Sequence, residues 1–106
     1  MDATPTTLEE FLDTDFFKVL AEPARLRLIQ LLWREGRSDV GSLAEQMTQE
    51  RSVVSRHLKI LHSADLVTVE KVGRHLFYEL KMGAVVEKLE LLVARVKLCL
   101  GGACAP

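Results

Sequence analysis

The segment from Arg51 to His62 separates its side chains into two chemical classes when it is placed on a helix. Successive side chains on an α-helix are about 100° apart, so residues three and four apart share a face. One face collects only bases, hydroxyls and an imidazole: Arg51, Ser52, Ser55, Arg56, Lys59 and His62. The opposite face collects Val53, Val54, His57, Leu58, Ile60 and Leu61. The first face has no carboxylate and is suited to binding an anionic surface such as DNA.

An ordinary solvated surface is the alternative interpretation of this face. Solvent-exposed helices usually mix both charges, because pairs of Glu and Lys four residues apart stabilise them. Here Arg56 and Lys59 place like charges close together. Serine is a mediocre helix former, but its short side chain lets a helix lie deep in the major groove, where arginine can bind guanine through two hydrogen bonds. The pattern therefore favours DNA binding.

Within this hypothesis the side chains divide by their position on the segment. Candidates for base edges and the adjacent phosphates lie near its start, and they are Gln49, Ser52, Ser55 and Arg56. Arg51 and Lys59 are expected to hold the phosphate backbone, which supplies affinity without sequence information.

Two further residues extend the hypothesis beyond this face. Arg74 follows Gly73 at the tip of a predicted hairpin and is the candidate for a minor-groove contact, with an ordinary exposed turn residue as the alternative. His57 lies on the apolar face, and it is predicted to be a hydrogen-bonded core histidine rather than a contact to DNA or a metal.

The elements that must position these residues are mainly helical. Apolar spacing, capping residues and breakers predict helices at about 8–21, 23–35, 39–47 and 51–64, and a last helix at 82–98. Two β-prone runs at 67–71 and 75–80 predict a hairpin between the fourth and last helices. The order helix-helix-helix-helix-strand-strand-helix predicts a winged helix-turn-helix in one domain, with the helix-turn-helix at about 39–64, the wing at about 67–80 and a loose tail at 100–106.

Length and composition agree with a small intracellular domain. The chain has 106 residues, of which 48% are hydrophobic and 27% charged, and it has only two cysteines. We expect no membrane span and no secretory signal, and the cysteine content favours a reducing cytoplasm. The net charge of -1 hides an asymmetry: residues 1–22 hold six acids and one base, whereas residues 51–81 hold six bases and three acids. The basic half is the one expected to meet an anion.

Three stretches in order resemble the ArsR/SmtB family of small repressors. They are the run from Phe17 to Ile29 containing Glu22-Pro23-Ala24-Arg25-Leu26, the run Ser52-Val53-Val54-Ser55-Arg56-His57-Leu58-Lys59-Ile60-Leu61, and Leu66-Val67 followed by Gly73-Arg74 and Tyr78. The resemblance implies a homodimeric repressor that dimerises through its first and last helices (8–21 and 82–99). It also implies an inverted-repeat operator and release from DNA by a metal ion, a metalloid or another stress signal.

The sequence departs from this family where such signals are commonly sensed. The stretch from Ser38 to Ser42 has no Cys-x-Cys motif, and the last helix carries Glu87 and Glu90 but no histidine. The remaining candidates are Cys99 and Cys104, whose thiolates suit a soft ion such as As(III), with a third ligand from elsewhere, or a disulfide that senses a redox or reactive-sulfur signal. The alternative is a pair of thiols on a loose tail with no sensing role. No obligatory cofactor is expected. Asp65 replaces a glycine common in the family, and Asp tolerates a left-handed backbone better than most residues.

Two functions from other classes compete with a repressor. The basic face could meet an acidic protein, which would make the chain a winged-helix interaction module without specific DNA binding. An enzyme is the weaker alternative, because the sequence lacks a phosphate-binding glycine loop, paired carboxylates and a nucleophile with a recognisable base.

Overall fold

The computed structural model describes residues 9–10 and 15–102. Within them the helices are α1 (Asp15–Leu20), α2 (Pro23–Glu35), α3 (Val40–Glu45), α4 (Arg51–Ser63) and α5 (Met82–Leu100), and the strands are β1 (Ser38–Asp39), β2 (Val67–Val72) and β3 (His75–Leu80). Glu9 and Glu10 are also helical. The rest of the predicted first helix before Asp15, and the end of the predicted tail from residue 103, lie outside the described residues. The architecture confirms the predicted winged helix-turn-helix.

Local sequence sets the ends of α2 and α3. Pro23 occupies the first turn of α2, where its missing N–H costs no helical hydrogen bond. Gly36 ends α2 with a φ of 75°, and its N–H donates to the Leu32 carbonyl. Asp39 caps α3 by accepting from the Ser42 N–H, so α3 begins at Val40. The helix ends at Glu45, two residues before the predicted end.

The end of α4 depends on the left-handed residue that the sequence predicts. Asp65 has a φ of 62°, and its N–H donates to the His62 carbonyl at 3.0 Å. The next N–H, of Leu66, donates to the Leu61 carbonyl at 3.0 Å, which completes a Schellman motif. The Asp65 carboxylate also accepts from Lys81 Nζ at 2.6 Å. Together these bonds fix the direction in which the chain leaves α4 for the wing.

The wing belongs to a three-stranded antiparallel sheet in the order β1-β3-β2. Val72 pairs with His75, which leaves Gly73 and Arg74 as a two-residue turn. Gly73 has a φ of 61°, as the first central position of a type II′ hairpin turn requires. Strand β1 was not predicted from the sequence; its Ser38 and Asp39 pair with Tyr78 and Phe77. A two-residue strand has no periodicity of its own, and it exists only because β3 supplies its hydrogen bonds.

One apolar core joins the helix-turn-helix to the wing. Its fully buried side chains come from α2, α3, α4, the link after α4 and the start of β2, and they are Leu28, Leu31, Leu32, Leu43, Val54, Leu58, Leu61, Leu66 and Val67. In contrast, Ala84 is the only buried residue among the 19 residues of α5. The described chain measures 51 × 26 × 24 Å with a radius of gyration of 16.0 Å, larger than the roughly 13 Å of a compact chain of this length.

Six of the seven large apolar residues exposed on α5, all except Leu98, form one stripe. Its members follow one another at alternating steps of four and three residues, and they are Met82, Val86, Leu89, Val93, Val96 and Leu100. Steps of four and three are the a/d spacing of a coiled coil, which keeps an apolar seam facing a second helix. This seam, termed the α5 stripe, has no cover within the described part of the chain.

Candidate nucleic-acid interface

Helix α4 divides its side chains between core and solvent as the sequence predicts. Val54, Leu58 and Leu61 are fully buried, and Val53, His57 and Ile60 are half-buried. The opposite face is exposed at Arg51, Ser52, Arg56, Lys59 and His62, whereas Ser55 is half-buried. We call this side the α4 face. Gln49 lies just before the helix and is half-buried. The α4 face is therefore open to a ligand along the length of the helix.

The cations predicted to contact DNA are not neutralised by the protein. Among the described residues, Arg51, Arg56, Lys59 and Arg74 form no ion pair, whereas Arg37 pairs with Glu70 and Lys81 with Asp65. An exposed ion pair contributes little to stability, so its absence costs the fold little. Four unpaired cations leave a positive field over α4 and the wing, which attracts a polyanion.

A cleft of about 390 Å³ separates α4 from the wing. It is lined by Asp39, Val40, Arg51, Ser52, Ser55, Arg74, His75 and Leu76. The structure thus brings together four predicted site residues from two parts of the sequence: Arg51, Ser52, Ser55 and Arg74. Arg56 and Lys59 lie on the α4 face outside the cleft lining, and Gln49 does not line the cleft.

Asp39 and His75 also line the cleft, although the sequence did not predict them as site residues. Asp39 Oδ1 accepts from Ser42 Oγ at 2.5 Å, and Asp39 Oδ2 lies 3.6 Å from His75 Nδ1. The Ser42 hydroxyl, and to a smaller extent His75, lower the pKa of Asp39, so this carboxylate stays ionised beside the arginines. The capping position of Asp39 was visible in the sequence, but its proximity to His75 depends on the pairing of β1 with β3.

His57 is half-buried on the core side of α4 and forms a hydrogen bond, as the sequence predicts for this residue. Its Nδ1 lies 3.2 Å from Arg25 Nη1, and the contact is partly buried. Burial lowers the pKa of His57, and the positive charge of Arg25 lowers it further. The ring is therefore a neutral hydrogen-bond acceptor on the core side of α4.

The cysteines belong to a different region from the α4 face. Cys99 is half-buried in the last turn of α5 and is disulfide-bonded. At 1.5 Å per residue, its position lies about 25 Å along α5 from Met82, where the helix leaves the wing. Cys104 lies outside the described residues. Within the described residues, no three His, Cys, Asp or Glu side chains cluster in a way that could hold a metal ion.

A helix-turn-helix with a hairpin wing, whose second helix presents unpaired bases and hydroxyls, defines the class of winged-helix DNA-binding domains. The family follows from comparison with known proteins. Residues 22–69 match the model of the bacterial regulatory protein arsR family. A helix-turn-helix-type transcriptional regulator of Mycobacterium tuberculosis is 33% identical over 88 residues, covering 80% of this chain and 77% of that protein. The chain belongs to the ArsR family, whose members regulate transcription and are not enzymes.

Two further comparisons agree with this membership. A transcriptional repressor SmtB homolog of Synechocystis is 44% identical over 66 residues, covering 62% of this chain and 49% of that protein, so the match spans about half of that relative. The crystal structure of a possible transcriptional regulator for arsenical resistance superposes with a TM-score of 0.64 at 39% identity, covering 79% of this chain and 82% of that one. Over the part of the chain that is described, none of the helices combines the length and the apolar character required to cross a bilayer.

Proposed function

We propose that this chain is a homodimeric repressor that binds an inverted-repeat DNA operator through the α4 face and the wing. The observation that carries the proposal is the set of unpaired cations on α4 and the wing tip, next to hydroxyls and free of any covering element in the described chain. In this arrangement Ser52, Ser55 and Arg56 read base edges, together with Gln49 at the start of the helix. Arg51 and Lys59 hold phosphates, and Arg74 reaches the minor groove.

The homodimer is supported by the α5 stripe. Six large apolar side chains at coiled-coil spacing are exposed on one helix, and a soluble protein rarely leaves such a seam open. A second copy of α5 has the same seam and would cover it by two-fold symmetry. The same symmetry would present two α4 faces, and it is the reason to expect an operator made of two inverted half-sites.

The experiment that tests DNA recognition is in vitro selection from a random duplex library with the purified protein. We expect enrichment of an inverted repeat with half-sites about one helical turn, or roughly 10 base pairs, apart. The preference for the selected duplex over a scrambled duplex should persist at moderate salt. If binding shows no sequence preference and disappears as salt is raised, the α4 face serves a different polyanion, such as an acidic protein.

For the signal, we propose a thiol-seeking inducer such as As(III) at Cys99 and Cys104. Two cysteine thiols would each displace one hydroxide from arsenous acid as water, which forms two As–S bonds without any change in oxidation state. A third ligand would come from elsewhere. The similarity to a possible regulator for arsenical resistance supports this chemical class. The thiols must be reduced before they can bind arsenic.

A redox signal is the second candidate, and the disulfide at Cys99 favours it. Cys104 is the other cysteine of the sequence and the expected partner. In this mechanism a peroxide or polysulfide takes two electrons from the two thiols, and the S–S bond forms as the two protons leave. A dithiol reductant reverses the step.

Arsenite and oxidants distinguish the two signals when each is added to the reduced protein on its selected duplex. Release by arsenite under anaerobic conditions, with a reductant that carries no thiol group, supports metalloid sensing. Release by peroxide or polysulfide that a dithiol reductant reverses supports redox sensing. The double variant Cys99→Ser/Cys104→Ser should bind the duplex normally and respond to neither. If this variant still responds to every compound that releases the wild type, the two cysteines are not the sensor.

A further inference from the structure

Arg25 connects three helices from a position outside the α4 face. It lies in the first turn of α2 and is partly buried. Its Nε donates to the Val19 carbonyl at 2.7 Å, and its Nη2 to the Lys18 carbonyl at 3.3 Å. Its Nη1 lies 3.2 Å from His57 Nδ1, near the middle of α4. One guanidinium therefore spans the C-terminal end of α1, the start of α2 and the core side of α4.

The contacts to α1 involve carbonyls of its last turn, of which that of Lys18 also accepts from the Ala21 N–H at 3.3 Å. The last four carbonyls of a helix have no intrahelical donor, and α1 ends at Leu20. Lys18 and Val19 lie in this last turn, and Arg25 donates to both of their carbonyls. A rigid planar fork that donates in several directions holds its partners in one geometry, which a lysine cannot reproduce.

The contact to α4 depends on the protonation state of His57. A guanidinium can only donate, so the bond requires a lone pair on Nδ1 and places the imidazole proton on Nε2. A protonated imidazole has no lone pair, and it would also bring two positive charges to a separation of 3.2 Å. Protonation of His57 therefore replaces an attraction with a repulsion between α2 and α4.

His57 lies next to Arg56 in the sequence, and Arg56 projects about 100° further round the helix, on its exposed face. A shift of α4 at His57 consequently displaces the α4 face. A displacement of about 1 Å between an α4 side chain and the base edge it contacts breaks the hydrogen bond, because donor and acceptor must lie within about 3 Å of each other. The core-side contact thus controls the DNA-side geometry.

We propose that Arg25 and His57 form a positioning pair that holds α4 in its DNA-binding orientation, and that protonation of His57 releases this hold. The proposal rests on the proposed function, since it assumes that the α4 face contacts DNA. Neither residue needs to touch DNA. Acidification would weaken operator binding through the core side of α4, independently of any cysteine.

The charged groups around His57 come mainly from two helices. Arg25 and Glu22, at the start of α2, act on it with opposite signs, and Arg56 of α4 itself adds a further positive charge. The charged side chains of the other elements near α4 are exposed, and they are Asp15 and Lys18 on α1, Glu45 on α3, and Glu70 and Lys71 on β2. Burial and Arg25 outweigh Glu22, so the pKa of His57 lies below its usual 6.5.

The test compares the full chain with the variants His57→Asn, His57→Leu and Arg25→Lys on a fluorescent duplex selected with the wild-type protein. Asn keeps an acceptor near the position of Nδ1 but does not titrate in this range. We expect His57→Asn to bind within about twofold of wild type at pH 7.5. His57→Leu and Arg25→Lys should bind roughly tenfold more weakly, because each leaves a partly buried polar group without its partner.

The decisive readout is the ratio of wild-type to His57→Asn affinity as pH is lowered from about 7.5 over the whole range in which both proteins stay folded. The two proteins differ only at residue 57, so effects of pH on the rest of the chain and on the duplex cancel in the ratio. We expect wild type to lose roughly tenfold relative to His57→Asn, which is the loss expected for the broken bond. A ratio that does not change with pH overturns the proposal, even where His57→Leu or Arg25→Lys fails to fold.

Arg56→Ala separates failure of the pair from failure of the proposed interface. If Arg56→Ala weakens binding but the ratio is constant with pH, the α4 face binds DNA and the positioning pair is wrong. If Arg56→Ala and Lys59→Ala both bind as wild type does, the proposed interface itself is wrong. If the ratio of wild-type to His57→Asn affinity falls with pH and Arg56→Ala binds the duplex more weakly, both the positioning pair and the proposed interface are supported.

Discussion

The salt dependence of DNA binding should report how many α4 cations contact phosphates, and Lys59 gives the clearest case. Lys59 is exposed on α4 and forms no ion pair with a described residue, so Lys59→Ala removes one free cation per subunit without breaking an internal contact. Each phosphate contact contributes about 0.9 to the slope of log K against log salt. A homodimer loses two contacts, so the slope should become less steep by about 1.8. A monomer on DNA would lose only about 0.9.

Fluorescence anisotropy between roughly 50 and 200 mM salt measures this slope, because phosphate contacts change affinity strongly across that range. The change should be the same on the selected duplex and on a scrambled duplex, since phosphates carry no sequence information. Lys97→Ala is the matched control: it removes the same charge from an exposed position on α5, and it should leave the slope unchanged. An unchanged slope for Lys59→Ala would refute the assignment of Lys59 to the phosphate backbone.

Three other perturbations address the remaining parts of the site and fold. Arg56→Ala should cost roughly 1–3 kcal/mol per half-site on the selected duplex and much less on a scrambled duplex, and an equal loss on both would make Arg56 a phosphate contact instead. Val93→Glu places a charge in the α5 stripe, where the side chain is 51% exposed in the single chain. In sedimentation the Val93→Glu variant should be a folded monomer. If this variant remains a stable dimer, the dimer interface lies elsewhere. His57 has a lowered pKa in the folded state, so the unfolded chain binds more protons below pH 6.5, and urea unfolding should show stability falling as pH decreases through that range. His57→Asn should remove this component, and an unchanged pH dependence in that variant would assign it to other groups.

The sequence predicts most of the fold because the deciding signals are local. The helical period of α4 predicts which side chains are buried, and Asp65 has the left-handed conformation expected of a residue that replaces glycine. Strand β1 was missed because its two residues become a strand only through pairing with Phe77 and Tyr78, almost forty positions later. No local pattern in a two-residue segment encodes such a pairing.

The candidate site shows the same division between local and distant information. The α4 face could be predicted from spacing alone, whereas the cleft requires β3 to bring Arg74 and His75 next to α4. The sequence predicts a hydrogen bond for His57 but not its partner, since Arg25 is 32 residues away. The sequence also left open whether Cys99 is a thiol or part of a disulfide.

The location of Cys99 constrains how a signal there could reach DNA. Cys99 lies near the far end of α5 from the wing, and the neighbouring Val96 and Leu100 belong to the α5 stripe. In the proposed dimer, a change at Cys99 therefore acts first on the contact between two α5 helices. Because two-fold symmetry sets the spacing of the two α4 faces, a change in that contact alters how both faces fit their half-sites. The Arg25–His57 pair offers a separate route, which acts on each α4 within its own subunit. A protein with both routes should respond to cysteine chemistry and to pH additively, because the two perturbations act on different contacts.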